Sequence, residues 1–431
     1  MRNIFPAKFI ELEMKDKNRS LEIIDFLNGV IFVKKIYKGL LLSTLLFSAI
    51  GTSQAAYFPK AAGNVYVMDN NPAGNNVIAF TRFVNGRLSR LGSVSTGGLG
   101  AGDNAEADPL GSQESVILSE NGKNLYLVNA GSNTISVFYL TRRGRPILIQ
   151  EVSSEGTFPV SLTTDGDVLY VLNAGDNGSI AGYSISKSGK LSLMSDSIRS
   201  LETGQEGIPE GGLRNLAPGD IAFDTVERRL VIPFGRGTEL GDGRILSFEV
   251  NDQGLPSDEF VETVATGRLP FSVDFTQNGI PLIAEALGAE GGEPTGGSLS
   301  SFQFSSAGAD ISPMDIIANG QAATCWVRAG SETDFAFTSN TNGGSISSYQ
   351  VSRNGELTLL NAEAATDIGL PIDFDLTDDD AFLYVTTSSE GGVRGYRVNK
   401  ATGDLISLGL FGGNLPIFEN DGFAPQGLAV R

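Results

Sequence analysis

Two stretches of the chain share one pattern, LYLVNAGSNTISVFYL at residues 125–140 and LYVLNAGDNGSIAGYSI at residues 169–185. Each begins with a run rich in aromatic and aliphatic residues, passes through a loop containing Gly and Asn, and ends in a second such run. Short apolar runs separated by Gly and Asn are typical of antiparallel strands joined by a turn. The pattern therefore predicts two adjacent β-strands in each copy.

This pattern recurs along the rest of the chain. The copies begin at Val65, Leu125, Leu169, Arg229, Pro281, Phe335 and Leu383, 44 to 60 residues apart. A short strand follows each copy, as in KSGKLSLMSDS from Lys187, and another precedes most of them. A repeat of this length with four strands is typical of a propeller blade. We therefore predict an all-β, seven-bladed β-propeller with four-stranded antiparallel blades over residues 62–431.

The two ends of this region complement each other. Six copies have a leading strand, whereas the first copy has none, and the stretch PQGLAVR at residues 425–431 follows the last copy. An open ring would leave two sheet edges unpaired, which proteins avoid. We therefore expect the C-terminal strand to join the N-terminal blade and close the ring.

The N-terminal residues resemble an export signal. Residues 34–55 combine three lysines, an apolar run of 11 residues at 40–50 and a Ser53-Gln54-Ala55 cleavage motif. That run is too short to cross a bilayer as a helix. We predict a signal peptide, a mature start near Ala56, no membrane span and a periplasmic or secreted location. Residues 1–33 are unusual before such a signal, so we interpret them as a misassigned leader, with translation starting near Val33.

The composition excludes several classes of function. The chain carries a net charge of −19, no histidine and one cysteine, Cys325. An acidic protein is a poor partner for nucleic acid, and a single cysteine makes no intramolecular disulfide. The absence of histidine removes the Ser-His-Asp triad and the commonest zinc ligand. We expect a monomer with no cofactor. We also expect no bound metal, because the acids at residues 373–380 lack the spacing of a calcium loop.

Loop lengths predict the functional face. Strand direction alternates, so the loops after the second and fourth strands of each blade share one face, and these loops are the long ones. Long loops on a rigid scaffold commonly carry binding and chemistry. We expect the central channel to open on this long-loop face.

Polar residues at the ends of the second strands are candidates for a site on that face. Asn129, Asn173 and Asn340 hold equivalent positions as ligand-binding or turn-capping residues, and Glu285 holds the same position in the fifth blade. Glu285 ends the apolar run PLIAEAL, so it is either a carboxylate facing the channel mouth or a solvated loop acid. Arginines able to bind a carboxylate or a phosphate on this face are Arg214, Arg236, Arg244 and Arg268.

The repeat phrases LYVLNAG, ISVFYL and GELTLL, with ATCWV at residues 323–327, resemble the lactonase-type seven-bladed propellers. That family includes 6-phosphogluconolactonase and carboxymuconate-lactonizing enzyme, and the similarity extends to propellers with YVTN repeats. The resemblance implies the propeller fold and activity on a small lactone. Its histidine motifs are replaced here by APGD at 217–220 and LPFS at 269–272, and its Pro-Asp-Leu-Gly loop by PFGR at 233–236. Of the family's site residues, only the glutamate has a counterpart, Glu285.

Two classes of function follow. One is hydrolysis or isomerisation of a small lactone, with Glu285 as general base and Arg268 or Arg236 stabilising the oxyanion, because ester opening needs both a base and positive charge. The other is a non-catalytic propeller of the cell envelope that binds a lactone, a carboxylate or a protein. Loss of the family's histidines favours the second, and the resemblance favours the first.

Overall fold

The chain divides into two compact units, Met1–Phe58 and Pro59–Arg431. The computed structural model describes the backbone of residues 20–27 and 30–37 and, with side chains, residues 59–101, 107–208, 217–235, 243–287, 296–305 and 310–431. In the first unit, β1 (Ser20–Leu27) pairs antiparallel with β2 (Val30–Tyr37). The apolar run and cleavage motif of the predicted signal peptide lie outside the described residues. No helix among the described residues has the length and apolarity needed to cross a membrane.

The second unit is a ring of seven sheets, as the repeat predicts. In blades 1 to 3 the strands run from the inside outward as follows: in blade 1, β31 (Gln426–Val430), β3 (Ala61–Met68), β4 (Asn76–Phe83) and β5 (Leu88–Ser95); in blade 2, β6 (Val116–Leu118), β7 (Asn124–Asn129), β8 (Thr134–Leu140) and β9 (Pro146–Ser153); in blade 3, β10 (Pro159–Asp165), β11 (Val168–Asn173), β12 (Ser179–Ile185), β13 (Leu191–Leu193) and the added β14 (Arg199–Ser200).

Blades 4 to 7 repeat this order. Blade 4 has β15 (Ala222–Asp224), β16 (Arg229–Phe234), β17 (Arg244–Glu249) and β18 (Val261–Val264), and blade 5 has β19 (Pro270–Phe275), β20 (Pro281–Glu285), β21 (Ser298–Phe304) and β22 (Ile311–Ala318). Blade 6 has β23 (Thr324–Ala329), β24 (Phe335–Asn340), β25 (Ser345–Val351) and β26 (Leu357–Ala365), and blade 7 has β27 (Pro371–Leu376), β28 (Phe382–Thr387), β29 (Gly392–Val398) and β30 (Leu405–Gly412). One short helix, α1 (Phe418–Asp421), precedes β31.

The ring closes by the predicted route. Strand β31 pairs antiparallel with β3, with Val430 opposite Val65 and Leu428 opposite Val67. The innermost strands of neighbouring blades contact one another all the way round, including β31 with both β6 and β27. Closure by the C-terminal strand is therefore confirmed.

Burial explains why the second strand of each blade is a continuous apolar run. Every residue of β7, β11, β16 and β24 is buried, because these strands are covered by the adjacent blades on both faces. Strands covered on both sides lose the alternation of polar and apolar residues. The outermost strands, such as β9, have one exposed edge and mix buried with exposed residues.

A repeated hydrogen bond joins most neighbouring blades. A tyrosine of the second strand donates its hydroxyl to the carbonyl of a glycine in the turn between the third and fourth strands of the next blade. These bonds run from Tyr66 to Gly144, Tyr126 to Gly189, Tyr170 to Gly254 and Tyr384 to Gly86. Between blades 5 and 6, Ser301 donates to Gly355 instead, at 2.6 Å. The turn glycines need positive φ, for example +78° at Gly144, which explains their presence there.

Candidate active site in the central channel

The centre of the ring holds a cavity of about 340 Å³ that opens on the short-turn face. Its walls are the ends of the innermost strands, from Val116 on β6 to Val430 on β31, and its rim includes the turn residues Ser331 and Asp378. From the sequence we predicted that the channel opens on the long-loop face. The cavity instead opens on the opposite face. The reason is a segment of chain that crosses the ring.

Residues 112–114 of that segment cross the channel between the cavity and the long-loop face. The Ser112 carbonyl accepts hydrogen bonds from Trp326 Nε1 at 2.9 Å and from Gln426 Nε2 at 2.8 Å. The Gln113 side chain donates from Nε2 to Asp220 Oδ2 at 3.2 Å, and its Oε1 accepts a hydrogen bond from the Val327 backbone amide at 3.1 Å. Contacts with blades 1, 4 and 6 therefore hold this crossing segment firmly across the axis.

Arg328 is the positive centre of the cavity. It lies on β23, is only 8% exposed, and donates from Nη1 to Glu114 Oε1 at 2.6 Å. Its Nε lies 3.4 Å from Asp375 Oδ1 and donates to the Phe374 carbonyl at 3.3 Å. No acceptor among the described residues is paired with Nη2, which leaves that nitrogen available to a ligand.

Two aspartates beside Arg328 are fixed across the seams between blades. Asp274 Oδ2 accepts the Ala329 amide at 2.8 Å, and Asp375 Oδ2 accepts the Val430 amide at 2.9 Å. Each carboxylate thus ties its own inner strand to the inner strand of the next blade. These hydrogen bonds hold both carboxylates in place, so the two aspartates add fixed acidic groups around Arg328.

Glu114 differs from these acids in two ways. Its φ of +59° lies in the left-handed region, which costs a non-glycine residue energy and is often found at functional sites. Its side chain retains 19% exposure, and Oε2 accepts no hydrogen bond from the described residues. One carboxylate oxygen therefore pairs with Arg328 while the other is free for a ligand or a water molecule.

Burial raises the pKa values of acids in the channel. It raises the pKa of Glu114 to about 7, although Arg328 opposes the shift. Burial also raises the pKa of Asp375 to about 6, again against the effect of Arg328. A carboxylate with a pKa near neutrality beside a fixed arginine is the arrangement expected of a general base.

A fourth acid, Asp373, lies near Arg328 and has no exposed surface. Burial raises its pKa well above the usual range, while Arg328 and the Leu428 amide lower it. Neither carboxylate oxygen makes a hydrogen bond of ordinary geometry with the described residues. Burial therefore favours the protonated, uncharged form of this acid, and Arg328 opposes that effect.

Glu285, the base predicted from sequence, lies elsewhere. It has no exposed surface and is absent from the channel cavity, so the expectation that it faces the channel mouth is wrong. Its carboxylate accepts the Gly267 amide at 2.8 Å and the hydroxyls of Ser298 and Ser300 at 2.6 and 2.7 Å. Burial raises its pKa and these hydrogen bonds lower it.

The three asparagines at positions equivalent to Glu285 are buried in similar surroundings. Asn129, Asn173 and Asn340 end β7, β11 and β24 and are fully buried. Asn129 donates to Ser136 at 2.8 Å and Asn340 donates to Ser347 at 2.9 Å, each on the third strand of its own blade. Asn173 donates to Ser179 at 3.3 Å in the same way. These hydrogen bonds join the second and third strands of a blade, which favours a structural role. Turn capping and ligand binding stay predictions.

The predicted arginines are not gathered around Glu285 in the described residues. Arg244 forms an ion pair with Glu262 at 2.9 Å on the outer part of blade 4. Arg268 is half-buried, and its Nε is buried without an acceptor among the described residues. Arg214 and Arg236 lie outside the described residues. Cys325 is a buried free cysteine.

The described residues contain no group of three or more acids or cysteines suited to holding a metal ion. Among the acids at residues 373–380, Asp380 instead accepts the amides of Ser331, Glu332 and Thr333 at 2.8 to 2.9 Å. Its carboxylate is thus occupied in ordering the neighbouring turn of blade 6.

Fold and cavity together define a seven-bladed propeller with acid–base groups in its channel. The family model described as "Lactonase, 7-bladed beta-propeller" matches residues 57–204 and 294–411, more than half of the chain. The chain therefore belongs to the seven-bladed lactonase family.

Solved structures with the same fold are distant in sequence. A provisionally assigned 6-phosphogluconolactonase of Bacteroides fragilis is 17% identical, covers 86% of this chain and 98% of its own, and superposes with a TM-score of 0.62. The periplasmic gluconolactonase of Pseudomonas aeruginosa is 14% identical, covers 85% and 98%, and has a TM-score of 0.63. At these identities the likeness shows the fold alone. No protein of curated function matches the sequence significantly.

Proposed function

We propose that this propeller hydrolyses a small lactone in its central channel, with Glu114 as general base and Arg328 as the oxyanion-stabilising group. The observation that carries the proposal is the Glu114–Arg328 pair in an open cavity, where the carboxylate has a pKa of about 7 and one free oxygen. Family membership supports the reaction class. The site lies on the face opposite to that predicted for Glu285.

The chemistry can be written with these two residues. Glu114 accepts a proton from a water molecule, whose oxygen attacks the lactone carbonyl carbon. Arg328 donates from Nη2 to the carbonyl oxygen as its negative charge grows. The ring C–O bond then breaks, and the proton held by Glu114 passes to the departing ring oxygen. The product is an open-chain hydroxy acid.

Charge in the cavity indicates the kind of lactone. Arg328 is surrounded by Glu114, Asp274 and Asp375, and Asp378 stands at the rim. A phosphorylated substrate would bring further negative charge to an already acidic cavity. We therefore propose an uncharged polyhydroxy lactone as substrate. The carboxylate product would be repelled by the same acids, which favours its release.

The export signal suggested by residues 34–55 bears on where this reaction takes place. We propose that the mature protein acts in the periplasm or outside the cell, where unphosphorylated sugar lactones are the more accessible substrates. Intact-mass measurement of the exported protein tests this. A mature chain that retains residues 34–55 would contradict it.

The function is tested by following acid release from D-glucono-δ-lactone at constant pH. We expect saturable turnover by the wild-type protein and a loss of about 10²–10⁴-fold in Glu114→Gln, the usual cost of removing a general base. Glu285→Gln is the matched control, since it makes the same chemical change at a buried acid outside the cavity. Saturable binding of lactone without turnover in the wild-type protein would replace this proposal with the non-catalytic, ligand-binding alternative.

A further inference from the structure

The seam between blades 4 and 5 lacks the hydrogen bond that joins most other blades. Val231 occupies the position in β16 that tyrosine holds in β3, β7, β11 and β28, so the tyrosine-to-glycine hydrogen bond is missing at this seam. A cleft of about 490 Å³ opens at this seam on the short-turn face, away from the central channel. Its size lies within the range of small-molecule sites.

A buried arginine in this cleft lacks partners. Arg229 is 6% exposed, and its guanidinium makes one hydrogen bond to the described residues, from Nη2 to the Ser305 carbonyl at 3.4 Å. Nη1 is fully buried without an acceptor among the described residues. Its guanidinium carbon lies 4.3 Å from the centroid of the Phe304 ring.

Nearby acids do not neutralise this charge by direct pairing. Asp224 is close enough to interact electrostatically with Arg229, but its carboxylate accepts the amides of Val226 and Glu227. No carboxylate among the described residues forms an ion pair with Arg229. A buried charge without such a partner is costly, and a bound anion would relieve that cost.

We propose that this cleft is a second ligand site, which binds a small monocarboxylate with an apolar body. A guanidinium pairs well with a carboxylate, since two N–H groups match its two oxygens. Val226 and Met314, which are 59% and 38% exposed, offer an apolar wall to the rest of the ligand. Glu227 and Arg353 also line the cleft and carry opposite charges, so the lining with Arg229 has a net charge of about +1, which matches a ligand with one negative charge.

Calorimetric titration of the full protein with benzoate tests the proposal, with benzamide as the uncharged probe of the same shape. We expect benzoate to bind and benzamide to bind about tenfold more weakly or worse, which is the usual value of a charge-assisted hydrogen bond. Arg229→Met should lose benzoate binding by a similar factor. Arg90→Met, the same change at an exposed residue of blade 1, should leave binding unchanged.

A second variant keeps the test decisive if Arg229→Met does not fold. Val226→Asp adds a negative charge at an exposed position on the wall of the cleft, where folding is not at risk, and should weaken benzoate but not benzamide. Equal affinity for benzoate and benzamide would overturn the proposal. So would benzoate affinities in Val226→Asp and a folded Arg229→Met that both match the wild type.

Discussion

Arg328 donates a 2.6 Å hydrogen bond to Glu114, a residue 214 positions away in the chain. Glu114 enters the channel from the segment that crosses the ring, whereas Arg328 belongs to the inner strand of blade 6. The contact therefore exists only in the closed ring. The proposed chemistry therefore depends on an intact propeller.

The first prediction concerns the pH dependence of lactone opening. A general base acts only when ionised, and the pKa of Glu114 is raised by burial to about 7. We expect kcat/KM to rise between pH 5 and 8 with an apparent pKa near 7, after subtraction of spontaneous hydrolysis. Glu114→Gln should flatten this rise in its residual activity. A profile already level at pH 5 would exclude Glu114 as the base.

The second prediction concerns stability, and its sign follows from the same shift. A carboxylic acid whose pKa is higher in the folded state stabilises the fold when protonated, below the unfolded pKa of about 4.5, and loses that contribution as pH rises through about 7. Glu114→Gln cannot titrate. It should therefore gain stability relative to the wild type between pH 5 and 8, by at most about 3 kcal/mol.

Denaturant unfolding of both proteins at pH 5 and pH 8 measures this difference. Glu120→Gln, at an exposed acid close by in the chain, is the control and should show no such trend. A Glu114→Gln protein that loses stability relative to the wild type as pH rises would contradict the prediction.

The repeat made most of the fold predictable, because every blade presents the same order of apolar runs and turns. Even the closing strand PQGLAVR was recognisable, since one leading strand was missing and one trailing strand was spare. The site was not predictable in the same way. Nothing local in ESVIL or TCWVRAG indicates that Glu114 and Arg328 meet, because their pairing depends on a segment that crosses the ring.

Glu285 illustrates a signal that sequence reasoning missed. Its blade begins the third strand with Ser298 and Ser300, and the sixth blade has Ser345 and Ser347 at the matching positions. Hydroxyls at the first and third positions are suited to hydrogen-bond the residue that ends the preceding strand. That spacing favours a structural role for the asparagines and for Glu285, and it is visible in the sequence.

The third prediction follows from this equivalence. Glu285→Gln should fold and retain lactone turnover, because a glutamine oxygen can accept the Gly267 amide while its nitrogen donates to the serine hydroxyls, as asparagine does in the sixth blade. Glu285→Leu should be destabilised by about 1–3 kcal/mol, since it leaves these donors unsatisfied. Thermal unfolding and turnover of the two variants decide this. Loss of turnover in a well-folded Glu285→Gln would restore Glu285 as the base.

The last prediction concerns ring closure. Removal of residues 425–431 deletes β31, which pairs with β3 and contributes Leu428 and Val430, both less than 5% exposed. It also removes the Val430 amide that holds Asp375 beside Arg328. Each apolar side chain is worth about 1.5–3 kcal/mol, so we expect the truncated protein to lose both its cooperative unfolding and its lactone turnover.

A single substitution tests the same strand without deleting it. Leu428 has no exposed surface, whereas Leu410, on the outermost strand of blade 7, is 43% exposed. Leu428→Ala should cost about 2–5 kcal/mol in the free energy of unfolding, the usual range for a buried leucine, whereas Leu410→Ala should change it by less than about 0.5 kcal/mol. Denaturant unfolding compares the two. Equal losses would mean that the C-terminal strand contributes no more than an ordinary edge, and closure by β31 would then not be what holds the ring together.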